Sequence, residues 1–262
     1  MNDPKIFAWV FLCAFVLSLC GCSTEFNPAT QRQETFLYSD EKEKSVGASV
    51  ALEVEKKFKF DADVDVNERV EKIVHKIAAV CDRRDLVYTI RVIDEDEVNA
   101  FSLPGGYVYV YKGLIDRIGN DDQLAGVIGH EVGHITAKHA MKRLQAAYGA
   151  TVLEGLAIAT GKAAVAAGVD LTASSVLFAN SREDEFEADR LGVKYMRKAG
   201  YDPRQMKLML AKLLEYQAKQ PPRPLNYWRT HPFVPERMAR ADAEAKGKTE
   251  YRDYLNMTGE EK

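Results

Sequence analysis

The sequence predicts an α+β fold that is mainly helical and contains a small β-sheet. Several long segments repeat apolar residues at helical spacing, whereas two short segments alternate in the way that β-strands do. The chain has 262 residues, 46% of them hydrophobic, so one globular domain can bury a core of ordinary size. The net charge of −3 and the interspersed lysines and acids argue against a nucleic-acid partner.

The N-terminal segment has the pattern of a bacterial lipoprotein signal peptide. Lys5 precedes an apolar run at 6–17, which is too short to span a bilayer comfortably, and Gly21 precedes Cys22. We therefore predict a signal peptide at 1–21, a lipidated Cys22, a tether at 22–38 and the catalytic domain at 39–262. The polar residues at 23–33 are expected to be flexible. Ser23 after the cysteine favours the outer membrane, with the domain facing the periplasm. An ordinary signal peptide or an anchor helix is the alternative.

The body is expected to begin with two helices, at 39–57 and 67–80, followed by three strands at 87–93, 99–103 and 107–111. Cys81 is expected to be a small buried hydrophobe. A long helix is expected at 121–147, since acidic residues complement its N-terminal dipole. Segment 152–179 is too weakly apolar for a confident membrane span, and we expect a buried helical hairpin there, with a lid or membrane contact as the alternative.

The motif His-Glu-Val-Gly-His at 130–134 is typical of metal-dependent hydrolases. His130 and His134 lie one helical turn apart, so both imidazoles can reach one metal ion. Glu131 is then placed beside the ion, where it can take a proton from a metal-bound water. The motif therefore supplies two candidate ligands and a candidate base.

The third ligand is expected from the helix that begins near Ser181. Glu185 and Asp189 share one helical face, which leaves Glu185 to bind the metal and Asp189 to orient a ligating histidine. The competing register pairs Glu183 with Glu187. His139 is rejected as a ligand because it lies about 140° around the helix from His134.

These segments resemble the gluzincin family that contains HtpX, the type I CAAX prenyl endopeptidases and the periplasmic proteases of BepA type. The blocks at 99–106, 130–134, 181–196 and 229–237 follow the order of that family, and the likeness spans about 38–245. The resemblance implies a zincin-like metallopeptidase domain with its small sheet beside the active-site helix. It further implies one zinc ion, general-base catalysis and cleavage of unfolded or damaged polypeptides, with the site residues His130, Glu131, His134 and Glu185.

The resemblance also assigns roles outside the metal-binding helices. Asn99, Ala100 and Phe101 would form an edge strand to which an extended substrate adds by backbone pairing. His231 would approach the zinc, either closing its fourth position as a latch or stabilising the oxyanion, although a simple turn residue is the alternative. Arg237 would be an active-site neighbour that binds a substrate or oxyanion oxygen.

Two functions are compatible with these features. The first is a zinc endopeptidase for misfolded or misassembled envelope proteins, anchored to the membrane through acylated Cys22. The second is an envelope-protein assembly factor or chaperone whose latched protease site is secondary. The glutamate base favours the enzyme, because a scaffold has no chemical need for Glu131.

Overall fold

The structure is a computed structural model and describes residues 23–147, 180–217, 231–232 and 234–247. The expected signal peptide, Cys22 and segment 152–179 lie outside the described residues. Within the described part, the fold is mainly helical with two small sheets, which confirms the predicted α+β class. No helix among the described residues is both long and apolar enough to cross a membrane.

A β-hairpin occupies most of the segment for which we expected a flexible tether. Strands β1 (Ser23–Asn27) and β2 (Arg32–Phe36) pair antiparallel, with Ser23 opposite Phe36. The hairpin is held to the body because the carbonyl of Ala29 accepts a hydrogen bond from Arg190 at 2.9 Å. Phe36 packs with Met141 and Leu144 in a small apolar cluster. The expectation of a flexible chain at 23–33 is therefore wrong, since packing contacts from distant residues order it.

Two capped helices follow the hairpin, close to the predicted positions. Helix α1 (Asp40–Lys57) begins after Ser39, whose hydroxyl accepts a hydrogen bond from the backbone of Lys42. Helix α2 (Val64–Ala78) begins after Asp63, whose carboxylate accepts from two backbone N–H groups of the first turn. Cys81, just beyond α2, is buried as expected.

The main sheet has three strands: β3 (Thr89–Ile93), β4 (Ala100–Leu103) and β5 (Tyr107–Tyr111). Strand β5 lies in the middle, parallel to β3 and antiparallel to β4, so β4 is an edge strand. One face of the sheet joins the main core, and the other carries an aromatic cluster in which Phe101 stacks on Tyr109 at 4.9 Å. This alternation explains the strand pattern in the sequence.

The remaining elements are helical. They are α3 (Lys112–Arg117), α4 (Asp121–Thr136), α5 (139–147), α6 (Arg182–Ala199), α7 (Gln205–Gln217) and α8 (Val234–Ala245). Helix α4 is almost completely buried, because α2, α6, α7 and strand β4 pack around it. An element buried on all sides can hold polar residues only where they are paired, which makes the polar side chains of α4 informative.

The single helix predicted at 121–147 is divided in two. The backbone turns after Ala137, and Lys138 adopts a left-handed φ of 57°. The Lys138 ammonium donates to Asp40 at 2.6 Å and lies 4.4 Å from the centre of the Phe36 ring. Asp40 and Phe36 lie about a hundred residues before Lys138 in the chain, and their contacts favour the turn. The helical periodicity of 121–147 could not indicate such contacts.

Candidate metal centre

The metal-binding motif lies in the middle of α4. Asn120 caps this helix by accepting a hydrogen bond from the backbone of Gln123 at 2.9 Å. His130, Glu131 and His134 lie in the interior of this helix, and each residue is at most 6% exposed. The histidines share one face, and their Nε2 atoms lie 3.0 Å apart.

Helix α6 brings the acidic residues to this face. A capping box at Ser181 and Asp184 fixes the start of α6. The two helices approach closely at Gly133, where an added Cβ would lie only 2.8 Å from the carbonyl oxygen of Ala188. This short separation places Glu185 and Asp189, both buried, against the histidines.

Four residues form a group that can hold a metal ion. Their ligand atoms all lie within 4.8 Å of one another, and the residues are His130, His134, Glu185 and His231. The Glu185 carboxylate lies 3.3 Å from Nε2 of His134 and 3.1 Å from Nδ1 of His231. The structure thus brings together all four residues that the sequence assigned to the metal.

The Glu185 register agrees with the spacing argument, and the competing register does not face the group. Glu183 is exposed on α6. Glu187 points to a different histidine, with its Oε2 atom 3.2 Å from Nε2 of His139. His139 itself lies outside the group of four, as expected. It contacts Nδ1 of His134, the ring nitrogen other than the one that lies next to His130.

Asp189 and Arg237 form a buried layer beneath the metal-binding residues. Oδ1 of Asp189 lies 2.8 Å from Nδ1 of His130. Arg237 donates to both Asp189 oxygens, at 2.7 and 2.8 Å. Burial opposes ionisation of Asp189, but Arg237 and His130 outweigh it and hold its pKa below the usual value. Asp189 is therefore a carboxylate that can orient His130.

Arg237 lies next to the candidate metal-binding residues. Its side chain is completely buried, and Nη1 contacts Oε2 of Glu185 at 2.7 Å. It also donates to the backbone carbonyl of His231 at 3.4 Å. The guanidinium is thus engaged by the carboxylates of Glu185 and Asp189. A contact between Arg237 and a substrate or oxyanion oxygen stays a prediction.

The donor set fits a divalent metal. Since Nδ1 of His130 donates to the Asp189 carboxylate, Nε2 of a neutral His130 offers a lone pair toward Nε2 of His134. Burial lowers the pKa of His134 well below 6.5, so its imidazole is neutral. Arg237 holds the pKa of Glu185 well below its usual value despite burial. Two converging lone pairs and a carboxylate are stabilised by a cation between them.

The charge balance at His130 leads to the same conclusion. Burial and the Arg237 guanidinium oppose its protonation, but the carboxylates of Glu185 and Asp189 outweigh both and raise its pKa to about 9. Without a metal, the group therefore takes up positive charge as a proton. A bound metal ion would replace that proton, so the two compete for the site.

Glu131 lies between the group of four and strand β4. Oε2 of Glu131 accepts a hydrogen bond from the hydroxyl of Ser102 at 2.8 Å, and Oε1 lies 3.4 Å from Nε2 of His231. The sequence interpretation missed Ser102. In strand β4, Ser102 alternates with Phe101 and Leu103, so its side chain lies on the opposite face of the sheet from theirs. The alternation does not show which residue Ser102 contacts on that face.

A small cleft opens beside Glu131 and His134. Of the three residues predicted to form the substrate edge, Phe101 lines this cleft, whereas Asn99 and Ala100, which precede it in the chain, are not among the lining residues. The edge that faces the cleft is shifted toward Ser102, Leu103 and Pro104. The opposite wall and floor come mainly from the α4–α5 region, with Ile135, Lys138, Ala140, Met141 and Arg143.

Comparison with known proteins extends the likeness beyond the motifs. The model of peptidase family M48 matches residues 65–245. A β-barrel assembly-enhancing protease of Escherichia coli (strain K12) is 32% identical over 161 residues, which are 57% of this chain and 33% of that protein. The mitochondrial metalloendopeptidase OMA1 of Schizosaccharomyces pombe is 29% identical over 192 residues, 72% of this chain and 57% of the relative.

The shorter Metalloprotease YcaL of Escherichia coli (strain K12) is 31% identical over 114 residues, 42% of this chain and 44% of the relative. The chain spans about one third of the β-barrel assembly-enhancing protease that it matches. The family model covers the three-stranded sheet, α4, α6 and α8, and therefore all four residues of the candidate metal centre.

Proposed function

The chain belongs to peptidase family M48, and from that premise we propose that it is a zinc-dependent endopeptidase of misfolded or misassembled envelope proteins. The observation that carries the proposal is the position of Glu131. Its buried carboxylate lies between the four candidate ligands and an open cleft bordered by an edge strand. A site that only stabilised the fold would have no need for a base at this position.

The chain's own residues can divide the reaction among them. Zinc, when bound, would polarise the peptide carbonyl and make water a better nucleophile. Oε1 of Glu131 would accept a proton from the attacking water, while the Ser102 hydroxyl holds Oε2 in place. The same carboxyl group would return the proton to the leaving amide nitrogen, which restores the base. His130, His134 and Glu185 would hold the ion.

Strand β4 can supply the substrate-binding surface. An edge strand pairs with an extended polypeptide through backbone hydrogen bonds, which demand an unfolded segment but little sequence specificity. This mode of binding suits a protease that acts on unfolded regions of many proteins. Envelope proteins are the proposed substrates because the N-terminal pattern favours export and because one set of relatives is named for β-barrel assembly.

The second candidate function is an envelope-protein assembly factor or chaperone with a latched, secondary protease site. The observation that favours it is His231, whose Nδ1 atom lies within the four-residue group. A histidine at this position would compete with substrate for the metal. Proteolysis would then be slow in the resting protein, and binding at the cleft would dominate.

The experiment measures metal content and casein digestion for the wild type and for Glu131→Gln, with Glu183→Gln on the exposed face of α6 as the matched control. We expect about one zinc ion per chain in all three proteins. Glu131→Gln should lose at least about 100-fold in turnover, whereas the control should keep it. Undiminished proteolysis by Glu131→Gln would contradict the mechanism, and a wild type that binds zinc without cleaving casein would favour the assembly factor.

A further inference from the structure

His139 contacts His134, although its position five residues after His134 would not place it there on a continuous helix. On a continuous helix its side chain would point away from His134, but the turn at Lys138 reverses this relation. As a result, Nδ1 of His139 lies 2.8 Å from Nδ1 of His134. Both side chains are buried. Two ring nitrogens at this separation must form a hydrogen bond, with one as donor and the other as acceptor.

The direction of this hydrogen bond follows from the position of the metal-binding group. His134 turns Nε2 toward that group, 3.3 Å from Oε1 of Glu185. A neutral imidazole that offers its lone pair at Nε2 carries its proton at Nδ1. His134 therefore donates through Nδ1, and His139 accepts. His139 in turn carries its proton at Nε2, which lies 3.2 Å from Oε2 of Glu187.

Neighbouring elements hold this chain of hydrogen bonds in place. Helix α5, which carries His139, is attached to the N-terminal hairpin, since Lys142 donates to Glu34 at 2.5 Å. The side chain of Gln145 accepts from the backbone of Leu37 and donates to the carbonyl of Thr35. On α6, Glu187 is mostly buried, and its Oε1 atom lies 3.9 Å from Nη2 of Arg190.

We propose that His139 and Glu187 are positioning residues for the metal site, which fix the tautomer and ring orientation of His134 through directed hydrogen bonds. They do for His134 what Asp189 does for His130 on the other side of the group. This role rests on one part of the proposed function, namely that the four-residue group holds a divalent metal. It does not depend on peptide cleavage. Hydrogen-bond partners of this kind commonly contribute about 10- to 100-fold to metal affinity.

The test measures the zinc dissociation constant of the full chain by competition with a chromophoric chelator, and the visible absorption of the Co²⁺-loaded protein. His139→Ala should weaken zinc binding about 10- to 100-fold and shift the Co²⁺ bands. His139→Gln should recover most of the affinity, because its amide can accept from His134 and donate to Glu187. The matched controls are His75→Ala and Glu183→Gln, both at exposed helical positions.

Glu187→Ala should weaken zinc binding as well, and the double variant with His139→Ala should lose less than the product of the two single losses, since both residues act through one chain. If His139→Ala does not fold in the absence of metal, as judged by circular dichroism, Glu187→Gln and Glu187→Ala supply the measurement at nearly constant packing.

Wild-type affinity and an unchanged Co²⁺ spectrum in His139→Ala and Glu187→Ala would overturn the inference while leaving the proposed function intact. Equal affinity of His139→Ala and His139→Gln, both weakened, would also overturn it, since loss of packing rather than of a hydrogen bond would then be the cause. Conversely, a protein that binds zinc and shows the expected losses, but does not cleave casein, would refute the proposed function alone.

Discussion

At the scale of single residues, His231 lies close both to the candidate metal ligands and to Glu131. Its Nδ1 atom lies 3.1 Å from Nε2 of His130 and 3.1 Å from Oε1 of Glu185, and its Nε2 atom lies 3.4 Å from Oε1 of Glu131. An imidazole so close to both ligands and base can occupy a metal position. It would then have to move before substrate is hydrolysed.

We predict that His231→Ala raises the basal rate of casein cleavage, because removing the imidazole opens the position that it blocks. The rate is to be measured at equal zinc occupancy, with His75→Ala as the control for loss of a histidine. If His231 instead stabilises the transition state, the rate should fall by a factor of about 100 or more. An unchanged rate would identify a turn residue.

At the scale of helices, the geometry of the metal centre depends on how closely α4 and α6 approach. The contact at Gly133 involves backbone atoms of Ala188, which cannot rotate away as a side chain can. Gly126, two turns earlier on α4, would place an added Cβ 3.6 Å from the flexible side chains of Met206 and Met209, an ordinary packing distance. The two glycines therefore differ in what they allow.

We predict that Gly133→Ala destabilises the protein by roughly 1–3 kcal/mol, because the new methyl group forces the helices apart. The same shift should weaken zinc binding, since Glu185 and Asp189 move away from the histidines. The matched control is Gly126→Ala, whose effect on stability should lie within about 1 kcal/mol of neutral because alanine favours helix. Urea unfolding measures both variants, and equal stabilities would argue against a tight α4–α6 contact.

At the scale of the whole molecule, the N-terminal hairpin connects the proposed membrane anchor to the metal centre. Strand β1 begins at Ser23, directly after the cysteine that is expected to carry lipid. The hairpin packs on α5, and α5 carries the histidine that contacts His134. If Cys22 is acylated, the catalytic body is held close to the lipid surface rather than on a long flexible tether.

We predict that radiolabelled fatty acid supplied to bacterial cells enters the wild type and Cys20→Ala but not Cys22→Ala. Only Cys22 follows a small residue, as lipid attachment at a lipoprotein cleavage site requires, and several acyl chains give stable anchoring. Membrane fractionation should place the labelled protein in the outer membrane. Equal labelling of Cys22→Ala would contradict the lipoprotein interpretation.

The sequence alone determined the features that depend on local backbone geometry. The four-residue spacing of His130 and His134 places both on one face of any helix, and the same rule selected Glu185 with Asp189. The sequence also placed helix starts at Ser39 and near Ser181, and in the structure both side chains cap backbone N–H groups of the first turn. The mainly helical fold and the three short strands followed in the same way, because hydrophobic periodicity reports which face is buried.

Only the tertiary structure decided the features that join residues far apart in the chain. It turned Arg237 toward Asp189 and Glu185, and it placed the Ser102 hydroxyl on Glu131. It also ordered the N-terminal hairpin and divided the predicted long helix, which brought His139 onto His134. Each of these contacts depends on how several elements pack together. The periodicity of a helix or strand determines which side chains share a face, but it does not determine which other element packs against that face.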